Sequence, residues 1–478
     1  MDAAGNYIAG EWIASSEAAE DINPSNTGDI VGLFARADAT ATGRAIAAAK
    51  AAFPAWSRGS IQQRHDILKR IGDEILARKD ELGRLLAREE GKTLAEGVGE
   101  TVRAGQIFLF FAAECVRLGG EKIASVRPGI DIEVTREPVG VVGLITPWNF
   151  PIAIPAWKIA PALAYGNCVV FKPADLVPGT AHALSKVIAA SGIPAGVFNL
   201  VMGRGSVVGE TLIRHPDIAA ISFTGSVATG QSIAAACVAG MKKFQLEMGG
   251  KNPLVVLDDA DLAVAVECAA NGAFFATGQR CTASSRLVVT EGIHDRFVAA
   301  LTERMKTLVV DDALKSGTHI GPAVDQSQLD QDLRYIGIGK DEGARLVAGG
   351  DVLRRDAPGF YVAPALFTDV RNDMRIAREE IFGPVAAVIR AKDYDAALAI
   401  ANDTPFGLVA GICTTSLKHA THFKRNAEAG MVMVNLPTAG VDYHVPFGGR
   451  KGSSYGPREQ GRYAAEFYTT VKTAYTLA

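Results

Sequence analysis

The stretch VGVVGLITPWNFP, residues 139–151, decides the fold of this chain. Its first seven residues are apolar and rich in valine, as in a buried strand, and the prolines after them interrupt regular structure. Similar runs recur with helical segments, such as 180–190 and 230–239, between them; the runs are 168–171, 197–201, 219–223 and 254–257. This alternation indicates βαβ units in a parallel sheet, which binds ligands at the carboxyl ends of its strands.

The N-terminal part of the chain is predicted to be helical. Apolar residues recur at helical spacing over residues 60–90, which predicts one helix. Ser60 and Gln63 are placed as a capping box at its start, and Gly91 is placed as its stop. Residues 95–118 are interpreted as a second helix.

A second α/β stretch begins after about residue 250, with predicted helices at 262–276 and 295–309 and strands at 287–290 and 385–389. The segments 119–137 and 465–478 fit neither stretch, and the alternating tail is interpreted as a strand. Because strand edges often pair with another subunit, these segments predict a homo-oligomer, a dimer or a tetramer. The expected units are therefore 1–118 with 138–249, 250–450, and 119–137 with 465–478.

Composition favours a small-molecule partner. The chain has 478 residues and a formal net charge of −3, so no basic field exists to hold nucleic acid or an anionic membrane. Residues 1–12 lack the pattern of a secretory signal, which favours a cytoplasmic location. The uncharged run 138–157 is interrupted by Pro147, Pro151 and Pro155 and is interpreted as strand and loop rather than a membrane span. Scattered cysteines and the absence of a metal-ligand motif predict no disulfide framework and no metal site.

Three local sequences place reactive or polar groups among glycines and prolines: PWNFP at 147–151, EMGGK at 247–251 and GQRC at 278–281. Further motifs are GEW at 10–12, FTGS at 223–226, EIFGP at 380–384, PFGG at 446–449 and YTTVK at 468–472. With these motifs in this order, nearly the whole chain resembles the aldehyde dehydrogenase superfamily. The resemblance implies two Rossmann-type α/β domains with parallel sheets, for NAD(P) binding and catalysis, plus a small β oligomerisation element. It also implies oxidation of an aldehyde to a carboxylate.

The resemblance assigns catalytic roles to five side chains. Cys281 matches the nucleophile, Asn149 the donor to the developing oxyanion, and Glu247 the general base for thioester hydrolysis. The alternatives are an inert buried thiol, a turn-supporting asparagine and a salt-bridge carboxylate. Lys158 and Glu459 match a pair that relays the proton, with an exposed ion pair as the alternative. Because coenzyme A-acylating relatives usually lack the glutamate, Glu247 favours water as the acceptor over that alternative activity.

A usable GxGxxG fingerprint is absent, so the cofactor residues also come from the resemblance. They are Trp148, Lys172, Asp175, Gly225, Ser226, Gly230, Glu380 and Phe382. Gly225 and Ser226 lie at a predicted strand-to-helix turn, where a helix N-terminus can accept a pyrophosphate. A carboxylate at Asp175, where the family more often has Glu, would repel a 2′-phosphate, which favours NAD while NADP stays open.

Trp157, Arg280 and Phe447 match the family's substrate funnel. Succinate-semialdehyde members typically carry Arg where this chain has Trp157. Arg280, which adds positive charge beside Cys281, is interpreted either as a ligand for a distal carboxylate or as half of a structural ion pair. Residues 435–461 most resemble the α-ketoglutaric semialdehyde (2,5-dioxopentanoate) dehydrogenases, with succinate semialdehyde or another aliphatic aldehyde as the alternative substrate.

Overall fold

The computed structural model describes residues 3–477. Its helices are α1 (Ala39–Ser57), α2 (Ile61–Ala77), α3 (Lys79–Glu90), α4 (Leu94–Cys115), α5 (Ala153–Ala164), α6 (Pro178–Ala190), α7 (Glu210–Arg214), α8 (Val227–Ala239), α9 (Leu262–Phe274), α10 (His294–Lys306), α11 (Gln326–Asp341), α12 (Arg375–Arg378), α13 (Tyr394–Asn402), α14 (Leu417–Asn426) and α15 (Ala465–Tyr468). Within this described part of the chain, none of the helices has the length and apolar character to cross a membrane.

The strands form two large sheets and smaller ones. They are β1 (Asn6–Ile8), β2 (Glu11–Ile13), β3 (Glu17–Ile22), β4 (Ile30–Arg36), β5 (Glu121–Ala124), β6 (Ile130–Pro138), β7 (Val141–Ile145), β8 (Cys168–Lys172), β9 (Phe198–Leu200), β10 (Ala220–Thr224), β11 (Lys243–Glu247), β12 (Pro253–Val256), β13 (Arg286–Thr290), β14 (Arg345–Ala348), β15 (Ala365–Thr368), β16 (Val385–Ala391), β17 (Phe406–Gly407), β18 (Val409–Cys413), β19 (Met431–Val434), β20 (Arg450–Lys451), β21 (Ser454–Tyr455) and β22 (Thr469–Leu477).

The first large sheet has the order β2-β1-β9-β8-β7-β10-β11-β21. Its five central strands pair in parallel, as the alternation of strands and helices predicts. Apolar residues on these strands are buried, because helices cover both faces of a parallel sheet. The carboxyl ends of β7, β10 and β11 lie at one edge and lead into the 147–149, 225–226 and 247–250 motifs.

The second large sheet has the order β14-β15-β16-β13-β12-β18-β19, and β14 is its antiparallel edge. A separate antiparallel sheet, β22-β6-β5, pairs all nine residues of β22 with β6. The predicted α/β class is therefore confirmed. The domain boundaries stay a prediction, although β21, which lies beyond residue 450, belongs to the first sheet.

Three local predictions are wrong. Residues 60–90 form two helices, because the backbone leaves helical geometry at Arg78 while the apolar spacing continues on both sides. Ser60 makes no capping hydrogen bond; the capping box instead joins Thr93 and Glu96 at the start of α4. The tail begins with helix α15 rather than a strand, because Phe467 and Tyr468 are buried in the core of the first sheet. Gly91 ends α3 with φ of 94°, as predicted.

Candidate active site

A strained turn carries the predicted nucleophile. After α9, the residues Ala276, Thr277 and Gly278 have left-handed φ values of 50°, 56° and 66°. A Cβ at Gly278 would lie 2.2 Å from the carbonyl oxygen of Gly383, so no larger residue fits at that position. Consecutive left-handed residues cost free energy and persist only where the surrounding structure holds them. The turn therefore fixes where Cys281 emerges.

Two asparagines hold this turn from different sheets. Nδ2 of Asn149, which follows β7, donates to the Gln279 carbonyl at 2.9 Å. Nδ2 of Asn252, just before β12, donates to the Cys281 carbonyl at 2.7 Å. Both asparagines are buried. The thiol of Cys281 is consequently positioned by the first and the second sheet together.

Cys281 lies between two cavities and lines both. The larger one, of about 480 Å³, is called here the aldehyde cavity; Trp157, Arg280 and Phe447 line it, as the predicted funnel requires. The smaller one, of about 230 Å³, is called the cofactor cavity, and its lining includes Trp148, Asn149, Gly225, Ser226, Glu380 and Phe382. The structure thus places the predicted nucleophile between the two predicted groups of binding residues.

The thiol environment is apolar and negatively charged. Burial raises the pKa of Cys281 to about 12, and the carboxylates of Glu380 and Glu247 add to this rise. Arg280 does not offset it, because its guanidinium forms an ion pair with Glu96 at 2.9 Å. Of the two interpretations of Arg280, the structural ion pair is therefore the one that the structure shows. The thiol is neutral at rest, so its proton must leave as it attacks.

Glu247 ends β11 and is buried. It lines neither the aldehyde cavity nor the cofactor cavity, but its charge acts on the Cys281 thiol. Its carboxylate accepts a hydrogen bond from the Ser454 hydroxyl, which β21 places opposite it in the sheet. Burial raises the pKa of Glu247 well above its ordinary value, and the nearby charge of Glu459 raises it further. A raised pKa suits a group that takes up and releases protons during turnover.

Lys158 and Glu459 form a buried ion pair, so the alternative of an exposed ion pair is wrong. The ammonium of Lys158 also donates to the Ser222 hydroxyl at 2.8 Å. The second oxygen of Glu459 is buried and has no hydrogen-bond partner within residues 3–477. The charges of this pair act on Glu247, because Glu459 raises its pKa and Lys158 lowers it.

The cofactor cavity fits a nicotinamide dinucleotide. Ser226 caps α8, whose N-terminus faces the cavity wall formed by Gly225 and Ser226. Unpaired N–H groups at a helix N-terminus bind phosphate. Glu380 and the Trp148–Phe382 pair, with ring centroids 5.4 Å apart, line the same space. Phe382 is only half-buried there, so it is not a core side chain.

The three remaining predicted cofactor residues do not line the cofactor cavity. A Cβ at Gly230 would meet the Met248 sulfur at 2.4 Å, so this glycine allows helix α8 to pack on the sheet edge. Lys172 and Asp175 form an ion pair at 3.0 Å beyond the lining of the cofactor cavity. Asp175 is one-third exposed, which leaves its carboxylate open to a ligand, while Lys172 is buried.

A sequence model of a known protein family matches nearly the whole chain. This family model, described as "Aldehyde dehydrogenase family", matches residues 12–474. The chain belongs to the aldehyde dehydrogenase family. As a member, this enzyme is an NAD(P)-dependent oxidoreductase that acts on aldehydes.

Individual relatives of this aldehyde dehydrogenase cover nearly its whole length. It is 45% identical to the α-ketoglutaric semialdehyde dehydrogenase of Bacillus subtilis, over 98% of this chain and 97% of the relative. It is 44% identical to the α-ketoglutarate semialdehyde dehydrogenase of Haloferax volcanii, over 99% of each chain. The crystal structure of Staphylococcus aureus betaine aldehyde dehydrogenase in complex with NAD+ matches with a TM-score of 0.97 and 34% identity, covering 99% of this chain and 94% of that one.

Sequence reasoning missed four charged residues of this aldehyde dehydrogenase that line the aldehyde cavity: Lys92, Glu96, Glu100 and Arg103. Lys92 is buried, and its ammonium donates to Glu100 at 2.6 Å and to the Asn149 carbonyl at 2.7 Å. Glu100 and Arg103 interrupt the apolar stripe of α4. Charges on an otherwise buried helix face are the signal that could have found them.

The raised pKa of the thiol gives a pH prediction. Below a pKa of about 12, the thiolate fraction of Cys281 rises about tenfold per pH unit. We expect the rate constant for iodoacetamide alkylation of Cys281, in enzyme without added NAD(P), to rise without a plateau from pH 7 to 9.5. Mass spectrometry of the Cys281 peptide measures it, with glutathione as an ordinary thiol and Cys281→Ala as the blank. A plateau below pH 8.5 would contradict the raised pKa.

Proposed function

We propose that this aldehyde dehydrogenase oxidises α-ketoglutaric semialdehyde (2,5-dioxopentanoate) to the dicarboxylate, with NAD as its preferred cofactor and water as the acyl acceptor. The observation that carries the chemistry is the position of Cys281, which lines the aldehyde cavity and the cofactor cavity at once. The two relatives above 40% identity support the substrate.

Cys281 starts the reaction by forming a bond from its sulfur to the aldehyde carbon, while the thiol proton passes to water in the aldehyde cavity. The carbonyl oxygen becomes negative in this hemithioacetal. Asn149 supplies one donor for it, because Nδ2 has two hydrogens and only one is used on Gln279. The backbone N–H of Cys281 is the second proposed donor, and such donors are each worth a few kcal/mol in the transition state.

When bound, NAD(P) supplies the oxidant, since its nicotinamide ring accepts the hydride from the former aldehyde carbon. Trp148, Glu380 and Phe382 would hold the nicotinamide end, and Gly225 with Ser226 would hold the pyrophosphate. The carbon is left as a thioester on Cys281.

Glu247 completes the cycle as the general base. Its carboxylate takes a proton from water, whose oxygen attacks the thioester carbon; the carbon–sulfur bond breaks, and Glu247 gives that proton to the departing sulfur, so that the thiol re-forms. The buried Lys158–Glu459 pair relays the proton that the carboxylic acid product loses. A carboxylate whose charge reaches the thiol supports hydrolysis over acyl transfer to coenzyme A.

We infer that the protein forms a homo-oligomer, a dimer or a tetramer, and that it is located in the cytoplasm. Strand β22 lies at the edge of its sheet, and eight of its nine residues are exposed, including the apolar Val471, Tyr475 and Leu477. A long edge of this kind pairs readily with another chain. Light scattering would measure the number of 50.3-kDa subunits, and a monomer would refute this inference.

All six cysteines are free, which supports a reducing compartment.

A substrate panel tests the proposed function. We expect kcat/KM with NAD to be highest for 2,5-dioxopentanoate among that compound, succinate semialdehyde, betaine aldehyde and pentanal. Product formation should not depend on added coenzyme A. Spectrophotometry of NADH with chromatography of the acid product measures both. Equal efficiencies across the panel, or a requirement for coenzyme A, would contradict the proposal.

Replacing Glu247, the proposed general base, should separate hydride transfer from thioester hydrolysis. Glu247→Gln keeps the size of the side chain but cannot accept the proton, so we expect at most one NADH per active site and a thioester that accumulates on Cys281. Rapid-quench kinetics with intact-protein mass spectrometry detects both. Cys281→Ala, the control, should give no burst. Wild-type turnover by Glu247→Gln would remove this residue from hydrolysis.

Asp175 determines the cofactor preference in this proposal. Repulsion between its carboxylate and a 2′-phosphate amounts to roughly 1 kcal/mol or more in a partly solvated cleft. Asp175→Ser removes the repulsion and frees Lys172 for the phosphate, so we expect kcat/KM for NADP relative to NAD to rise about tenfold. Asp175→Glu is the charge-matched control and should leave the ratio near that of the wild type. A wild-type preference for NADP would overturn the argument.

A further inference from the structure

The aldehyde cavity contains three cationic side chains, Lys92, Arg103 and Arg280. Two of them are neutralised by the protein itself. Lys92 forms a buried ion pair with Glu100 at 2.6 Å, and Arg280 forms a partly exposed ion pair with Glu96 at 2.9 Å. Each of these cations therefore already has its anion.

Arg103 is the exception. Within residues 3–477, no carboxylate lies at ion-pair distance from its guanidinium. Nη2 donates to the neutral Oε1 of Gln460 at 3.1 Å, while Nε is buried and has no acceptor. A buried donor without an acceptor is costly, and a charged one more so. The cavity wall thus retains a positive charge that no described side chain pairs with.

The neighbours of Arg103 also have unused donors. Its guanidinium lies over the ring of Trp157, 5.6 Å from the ring centroid. Nε1 of Trp157 and Nε2 of Gln460 are both buried and, within the described chain, lack acceptors. Arg103 thus contacts both of these side chains, and Arg103 and Trp157 line the aldehyde cavity. Buried polar groups in native proteins are almost always paired, so this cluster indicates a ligand rich in oxygen.

The other residues that line the aldehyde cavity indicate the shape and polarity of that ligand. Trp157 stacks on Phe447 with ring centroids 5.4 Å apart, and Phe150 and Ile154 add further apolar lining. Cys281 lies in the same cavity and defines where the carbonyl reacts. A ligand that matches both ends has an aldehyde, a short apolar stem and a terminal anion with planar oxygens.

We propose that Arg103 binds the distal carboxylate of the substrate, and that it makes short aldehydes with a terminal carboxylate the preferred substrate class. The inference rests on the proposed function, because it names the side chain that would recognise the semialdehyde. A guanidinium is well suited to this role, since it offers parallel N–H donors to a carboxylate. Trp157 supports it as a positioning residue through its ring.

The test compares two five-carbon aldehydes, 2,5-dioxopentanoate and pentanal, which lacks the carboxylate. For Arg103→Gln we expect the ratio of their kcat/KM values to fall by about 30-fold or more, because an interaction with a desolvated charge is lost. The loss should appear mainly as a higher KM for the semialdehyde, since the carboxylate is bound equally in the ground and transition states. Arg103→Lys, which retains the charge, should recover part of the ratio.

A second measurement uses a ligand that does not react. Glutarate, a five-carbon dicarboxylate, should inhibit the wild type competitively against the aldehyde and lose at least about tenfold in Ki with Arg103→Gln. Arg84→Gln, at an exposed position on α3, is the matched control and should change neither readout. Melting temperatures show that each variant is folded.

The outcomes separate the two proposals. If the wild type prefers the semialdehyde but folded Arg103→Gln keeps the full ratio, the role of Arg103 is refuted while the proposed function stands. The same refutation follows if Arg280→Gln, and not Arg103→Gln, lowers the ratio. If the wild type shows no preference for the semialdehyde over pentanal, the proposed substrate fails, and the inference fails with it.

Discussion

The contact between Gly278 and the Gly383 carbonyl is the constraint on which the rest of the site depends. Only glycine fits at this contact, which closes a turn of three consecutive left-handed residues, and the geometry of that turn determines the position of Cys281. The hydrogen bond from Asn149 to Gln279 then ties this turn to the first sheet. Because the thiol is held by elements of both sheets, it lies where the two cavities meet, and substrate and cofactor can reach it from opposite sides.

That position is electrostatically unusual for a nucleophile. Burial and the nearby carboxylates raise the pKa of this thiol to about 12, so the neutral thiol predominates at pH 7. Glu247 favours its protonated form for the same reasons of burial and nearby negative charge. Lys158 and Arg458 offset part of this negative charge. Reactivity is therefore created during attack rather than stored in a resting thiolate.

The sequence predicts the parts of this arrangement that local pattern determines. Short valine-rich runs predict the strands, and the motifs after β7, β10 and β11 bring the expected side chains to one edge. Local pattern does not determine partners distant in sequence. Arg280 pairs with Glu96, 184 residues away, which was not predicted, and the pairing of Glu459 with Lys158, 301 residues away, was predicted from the family resemblance alone. Arg78 breaks a helix whose apolar spacing continues, so periodicity could not show the break. The roles of the site residues stay predictions.

Charge balance explains how one cavity can accept a carboxylate without a dedicated arginine at position 157. The protein neutralises Lys92 and Arg280 with its own glutamates, which removes them as general anion sites. Arg103 approaches from α4 instead and lies over the aromatic ring of Trp157. The ring can stabilise a cation without neutralising it, so the guanidinium keeps its capacity to pair with an incoming anion. An uncharged aldehyde would leave that cation unpaired in an apolar wall, and this cost is what separates a carboxylate-bearing substrate from its neutral analogues.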